Sequence, residues 1–409
     1  MNLPADYVAS WTLMPTKDIM SEIQKSSGGG NSLIVRNEIT PADLCSYFVA
    51  RFGPPNGIQN FLRKDDSDNL IHWEWVFRTP RGIVTFLGQN FRTEIWFIAG
   101  ENCPQECLPE LLAQIKADFK NYGRDMSAFR KRIEDWTEFV NPYVRIKSSV
   151  GCLLEELRGL KLQPEDEAIP HADSAAQIAE QPWSELAAKY SKGLGLCFGI
   201  RSMLPVMAEA YVNLVMFVLL RPDIKEDERL REHTIRQPID IRIKTLHTNC
   251  IGFTKSVDYS SEPCRAYHTL VNERNDLLHG NVVLDKLKFS EVYFVGKIPI
   301  FKEYRTMWQR TVGVDVEAVG LHRLQNEVKV VRDLVDYINS CLEPQVKKQM
   351  EMIAQRRDLG FNKKTGRIGI LFADHLVDFY TVMETNDGVS IDARTGAVEP
   401  KIKKGEPTD

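Results

Sequence analysis

The chain predicts a multidomain α+β protein. Its expected parts are an N-terminal α+β domain with an antiparallel meander, a central all-α helical bundle, and a small C-terminal extension made of a basic helix and a β-hairpin. Three observations carry this expectation. In "IHWEWVF" large apolar residues alternate strictly, putting Ile71, Trp73, Trp75 and Phe77 on one face at the period of a half-buried strand. From about Trp183 to Leu342 the apolar period changes to that of helices, in long segments. A length of 409 residues is enough for two or three separate cores.

In chain order, helical patterns around Pro41 to Phe52 and Pro109 to Tyr122 flank the strands. A turn at "TPRG" leads from the first strand into "IVTFL", and "GQN" leads into "FRTEIWFI", which predicts a meander with short connections. Residues 1–160 are therefore expected to form an α+β domain. The stretch "QPEDEAIPHADSAAQIAEQ" is acidic and holds two prolines, so residues 161–183 read as a linker. Helices are predicted over Leu194 to Leu220, Glu226 to Glu232, Ile239 to Val257, Glu262 to His279 and Val316 to Leu342, giving a bundle over residues 184–345. One interruption, "EVYFVGKIPIFKEY", reads as a hairpin or extended excursion. Residues 346–409 open on the basic, helix-like "VKKQMEMIAQRRDLGFNKKTGR" and carry Asn386-Asp387-Gly388 as a hairpin turn signal between two short strands.

Composition excludes several classes. With 43% hydrophobic, 26% charged and 9% aromatic residues, the chain is an ordinary globular protein without collagen-like or disordered bias. A formal net charge of -4 argues against coating nucleic acid by bulk electrostatics, so any such contact is expected to be local. The N-terminus lacks a basic region followed by an apolar core, and a cytoplasmic protein is expected. The most apolar stretch, "MLPVMAEAYVNLVMFVLL", holds Pro205, Glu209 and Asn213 and reads as a buried helix, not a membrane span.

Eight scattered cysteines predict reduced thiols without a disulfide framework. His247, Cys250, Cys264 and His268 superficially resemble a zinc-site spacing, but apolar helical stripes already explain both pairs. Cys103 and Cys107 lack a second ligand pair nearby, and "SSGGGNS" lacks the Gly-Lys-Ser/Thr of a phosphate loop. No metal and no cofactor is expected.

The residues that ask for an explanation lie in "CRAYHTLVNERNDLLHGN". Tyr267, Leu270, Val271, Leu277 and Leu278 fall on one helical stripe, and Arg274 lies on that same stripe. An arginine on a buried face costs several kcal/mol unless it is paired or reaches a wet cleft or interface. Asn275 and His279 share a neighbouring face, and Gly280 stands where a terminating glycine is expected, which puts His279 in the last turn. Arg274 and His279 are about 140° apart around an ideal helix. Their convergence requires a long reach past an open helix end, or a second copy of the helix.

"RNDLLHG", Arg274 to Gly280, resembles the Arg-x4-6-His signature of the HEPN superfamily, over roughly Leu194 to Leu342. The resemblance implies a metal-independent endoribonuclease acting as a homodimer, in which two signature helices form a composite cleft. There a ribose 2′-hydroxyl would attack the adjacent phosphate and leave a 2′,3′-cyclic phosphate. The residue types suit this chemistry: His279 exchanges a proton near neutral pH, Arg274 holds phosphate oxygens, and Asn275 orients the histidine or the substrate. The run Lys347, Lys348, Arg356, Arg357, Lys363, Lys364 and Arg367 is the expected guide for the RNA backbone if it is not simply a solvated face. Trp73, Trp75 and Trp96 are expected in the core before any base-stacking role.

The competing expectation makes these residues structural. Arg274 would then pair with a carboxylate such as Glu209, and His279 would only cap the last carbonyls of its helix. The bundle would be a non-catalytic dimerisation scaffold whose N-terminal domain binds a protein or ligand.

Overall fold

A computed structural model describes residues 3–25, 30–62, 70–162, 181–372, 389–391 and 398–400. The chain divides into two compact units, one built on Met1–Thr137 and most of the chain from Gly360 onward, the other on Glu138–Leu359. The sequence reading places the boundary in residues 161–183, of which 163–180 lie outside the described residues; the structure divides the chain earlier.

In the first unit, the strands β1 (Thr12–Leu13), β2 (Asn31–Val35), β3 (Trp73–Arg78), β4 (Ile83–Gly88) and β5 (Thr93–Ile98) form an antiparallel sheet of order β1-β3-β4-β5-β2. The predicted meander is β3-β4-β5, with Trp73 opposite Gly88, Arg78 opposite Ile83, and Ile83 opposite Ile98. The expectation of a half-buried strand does not hold for β3, because both sheet faces are covered there, as they are at β4. Trp75, Phe77 and Phe86 pack with Trp11 and Phe48 on one side. Val76 and Ile83 pack with Met14 and Ile19 on the other, where helix α1 (Thr16–Lys25) lies. Trp73 is half-buried and Trp75 fully buried, whereas Trp96 is exposed and donates its indole N–H to Glu94.

Helix α2 (Pro41–Phe52) has the bounds read from the sequence, because Thr40 caps its start by accepting from the Asp43 N–H and Gly53, at φ +85°, ends it. Helix α3 (Leu108–Arg130) runs a further two turns beyond the predicted end at Tyr122.

The second unit is helical. Helix α4 (Pro142–Gly159), which the sequence reading assigns to the first domain, packs instead on the long helix α5 (Gln181–Leu219), with the Tyr143 and Tyr211 rings 5.1 Å apart. Around α5 gather α6 (Ile239–Asn249), α7 (Glu262–His279) and α8 (Leu324–Ser340). Their buried residues include Leu204, Tyr211, Val215, Ile243, Leu270, Leu334 and Ile338. Among the described residues, only α5 is long and apolar enough to cross a membrane by length and composition, and about half of its most apolar window is buried inside the protein. Helix α6 ends earlier than predicted because Cys250 turns extended and bridges to Leu220. The helix predicted over Val316 to Leu342 is broken at Gly320, whose φ of +70° is left-handed backbone.

The excursion after α7 is a hairpin of strands β7 (Val292–Val295) and β8 (Ile298–Phe301), turning at Gly296. The basic helix of the C-terminal extension is shorter than expected. Helix α9 (Pro344–Ile353) gives way to strand β9 (Asp358–Asn362), where the Asn362 side chain accepts from the backbone of Lys364 and Thr365 and turns the chain into β10 (Ile368–Gly369). With β6 (Trp136–Val140), these two strands form a sheet of order β10-β9-β6. The predicted Asn386-Asp387-Gly388 turn lies outside the described residues, and β11 (Val389–Ile391), which follows it, pairs antiparallel with β12 (Val398–Pro400).

Candidate active site on helix α7

Helix α7 has the bounds read from the sequence, and its end has a local cause. Gly280 takes left-handed backbone at φ +63° and ψ +33°, its N–H returns to the Asp276 carbonyl, and the Asn281 N–H joins it there. That cap leaves His279 exposed in the last turn. The stripe is buried only over its first half. Cys264, Tyr267 and Leu270 are in the core, Val271 and Leu277 are half-buried, and Leu278 is exposed.

The base of the helix is tied to the bundle twice. The Tyr267 hydroxyl donates to the Pro205 carbonyl of α5 at 3.1 Å. One residue before Arg274, Glu273 accepts from Arg201 at 2.9 Å and from Arg323 at 3.1 Å. Arg201 is itself almost fully buried, donating twice to Glu327 of α8 at 2.7 and 2.6 Å and once to the Val319 carbonyl at 2.7 Å. Burial opposes its charge, but Glu327 and Glu273 more than offset that and hold the guanidinium more basic than usual. Nothing in the sequence reading singled out Arg201 or Glu327. The available signal was a lone arginine in the interior of the most apolar helix.

Arg274 is treated differently. Its Nε is closed off from solvent and has no hydrogen-bond partner, and no carboxylate among the described residues pairs with its guanidinium. The expected structural partner, Glu209, is taken by Arg242 of α6, which also donates to Asn213 at 2.5 Å. Arg274 is felt electrostatically at Tyr267: burial raises the phenol's pKa, Glu209 adds to the rise, and Arg242 and Arg274 pull it back. Half-buried Asn275 and exposed His279 likewise have no hydrogen-bond partner among the described residues. Helix α7 thus carries an unpaired cation on its stripe and an unpaired imidazole at its open end, and the two side chains have no bond to each other. An uncommitted guanidinium and an accessible imidazole on one helix can receive an anion and exchange a proton with it only where a long reach or a second copy of the helix brings them together.

The basic run is divided between the two units. Lys347, Lys348, Arg356 and Arg357 belong to the second unit, and Lys363, Lys364 and Arg367 to the first. Several are neutralised locally: Lys347 pairs with Glu351, Arg357 with Asp358 at 2.6 Å, and Arg367 with Glu134 while lying over the Trp136 ring. The reason is the strand and turn that replace the predicted continuous helix.

The zinc-like spacing places its members apart in exposure. Cys250 and Cys264 are buried, with burial pushing the Cys250 thiol up to about 12, while His247 and His268 are exposed. No group of three or more metal-ligating side chains occurs among the described residues. Cys103 and Cys107 are both buried in the core of the first unit.

No family model, no curated protein and no solved structure matches this chain closely enough to assign it to a family.

Proposed function

We propose that the second unit is a metal-independent endoribonuclease of the HEPN type, with Arg274, Asn275 and His279 as its catalytic set. The observation that supports this most is a contrast among arginines of the bundle. Buried Arg201 and Arg242 each have carboxylate partners, whereas half-buried Arg274, with its Nε closed off from solvent, has none among the described residues. A buried-side cation without a counter-charge is costly, and a bound phosphate would supply the missing anion. In this reading, Arg274 binds phosphate oxygens and offsets the charge that grows on them. His279 moves the proton of the attacking 2′-hydroxyl, and Asn275 orients the imidazole or the ribose. A 2′-hydroxyl nucleophile restricts the substrate to RNA. The enzyme works as a homodimer in the cytoplasm and serves as a toxin or antiviral effector, with the first unit sensing the trigger or binding a partner.

The test is incubation of the purified protein with total RNA or tRNA in EDTA. Cleavage leaving 2′,3′-cyclic phosphate ends, lost in both Arg274→Ala and His279→Ala, is the expected result. Cleavage that persists in either variant removes the site assignment. If the purified protein does not cleave, toxicity on expression that His279→Ala relieves is the second readout. The scaffold reading draws support from Asn275 and His279 having nothing that orients them within one chain. It predicts a stable dimer with neither cleavage nor toxicity.

A further inference from the structure

Residues 282–304 concentrate more exposed apolar surface than any other part of the chain of similar length among the described residues. Val282 is 79% exposed, Leu284 76%, Tyr293 54%, Phe294 66%, Val295 65% and Ile298 67%. Successive strand residues point to opposite faces. Tyr293, Phe294 and Val295 are consecutive, so both faces of the β7-β8 hairpin are apolar and both are bare. A two-stranded hairpin is marginal in water by itself, and this one also leaves its outer strand edges unpaired. A solvated hairpin would carry polar residues on at least one face.

We propose that residues 282–304 form a dimerisation arm, buried on both faces against a second copy of this chain. The size of the patch favours a permanent partner. The exposed surface of these side chains is on the order of 1,000 Å², beyond the roughly 300–600 Å² of the largest patch on a typical monomer and near the about 800 Å² per partner of a stable complex. Charge favours a self-complementary partner over a polyanion. Glu291 is held between Lys288 and Lys302, and residues 282–304 carry three carboxylates against four lysines, so the arm is close to neutral. The arm begins two residues after Gly280, so a second copy seated on it continues from the exposed end of α7 at Leu278 and His279. The inference shares the second copy with the nuclease reading but uses neither Arg274, Asn275 nor the chemistry of His279.

The experiment is light scattering after gel filtration, over a concentration series, of the full chain and of a Phe294→Glu, Val295→Lys double variant that charges one residue on each face. The wild type is expected to run at twice the chain mass and the variant at the chain mass, with an unchanged far-UV spectrum. Hydrogen exchange over Val292–Phe301 adds a readout that does not depend on the variant folding: slow amides are expected in the wild-type dimer. A monomeric wild type, or a dimer that survives the double substitution with fast-exchanging hairpin amides, overturns the proposal. A monomeric wild type that co-floats with phosphatidylcholine vesicles would assign the arm to a lipid surface instead. RNA cleavage by the monomeric variant would keep the catalytic roles of Arg274 and His279 and remove the homodimer requirement from the nuclease reading.

Discussion

The two halves of helix α7 follow the same apolar pattern and end in opposite situations. Up to Leu270 the stripe is sealed in the bundle, with the Tyr267 hydroxyl satisfied by the Pro205 carbonyl. Beyond Glu273 it carries Arg274 without a counter-ion and leaves Leu278 and His279 open. Helical periodicity alone gives the two halves equal standing. The difference shows that position on a stripe does not make a residue part of the core. What separates them is whether neighbouring helices supply partners, and here they stop doing so within one turn.

The strongest way to break this comparison is to remove the ties at its boundary. Arg201→Ala would leave Glu327 buried without its counter-charge, and urea unfolding is expected to show a loss of about 3–5 kcal/mol. Arg274→Ala, which removes a cation with no counter-charge, is expected to match or exceed wild-type stability in the same measurement. If the two variants lose similar stability, Arg274 has a structural partner and the contrast fails.

Next in size is a truncation in each half. Leu270→Ala should cost about 2–5 kcal/mol, and Leu278→Ala less than about 1 kcal/mol in the isolated chain. In a dimer, Leu278→Ala would acquire a concentration dependence that Leu270→Ala lacks. A third test addresses the cap. Gly280→Ala forces an L side chain into left-handed backbone and is expected to cost about 1–2 kcal/mol, although a Cβ there would meet no atom within 4 Å. A neutral result would mean that the helix end adopts another conformation and that His279 is not fixed in the last turn.

The smallest effect is electrostatic. Hydrogen bonds from Lys288 and Lys302 hold the Glu291 carboxyl down near pH 2, against an ordinary value of 4.5. Because its folded value is depressed, its contribution to the arm is complete above pH 4.5 and fades as the pH falls toward 2. A side-chain NMR titration of Glu291 checks this. A midpoint near 4.5 would show that the arm's base is not closed by these lysines.

Much of this was legible locally. The bounds of α7, the stop at Gly280, the β3-β4-β5 meander and the β7-β8 hairpin depend on residues a few positions apart, and period and turn chemistry report those directly. Arg274 stood out because its charge broke an apolar stripe. Long-range choices were not legible. Glu209 is as suitable a partner for Arg274 as for Arg242, and only packing gives it to Arg242. The helix Pro142–Gly159 has an amphipathic face that fits either unit, and its contact with α5 decides the matter. The basic run read as one helix because lysine and arginine suit helices, while the Asn362 turn that interrupts it needs only a single side chain.

Arg201 joins α5, α7 at Glu273, α8 at Glu327 and the Val319 carbonyl through one guanidinium. Mechanically this makes α7 a cantilever, clamped at Glu273, half-buried as far as Leu277 and open to solvent at Leu278 and His279. Its thermal bending is then set by the clamp, and its amplitude grows toward the tip that carries His279. Amide exchange along α7 should accelerate steadily from Glu273 to Gly280 in an isolated chain. Whatever grips the tip, a phosphate on Arg274 or a second chain on the arm, would stiffen the whole overhang at once.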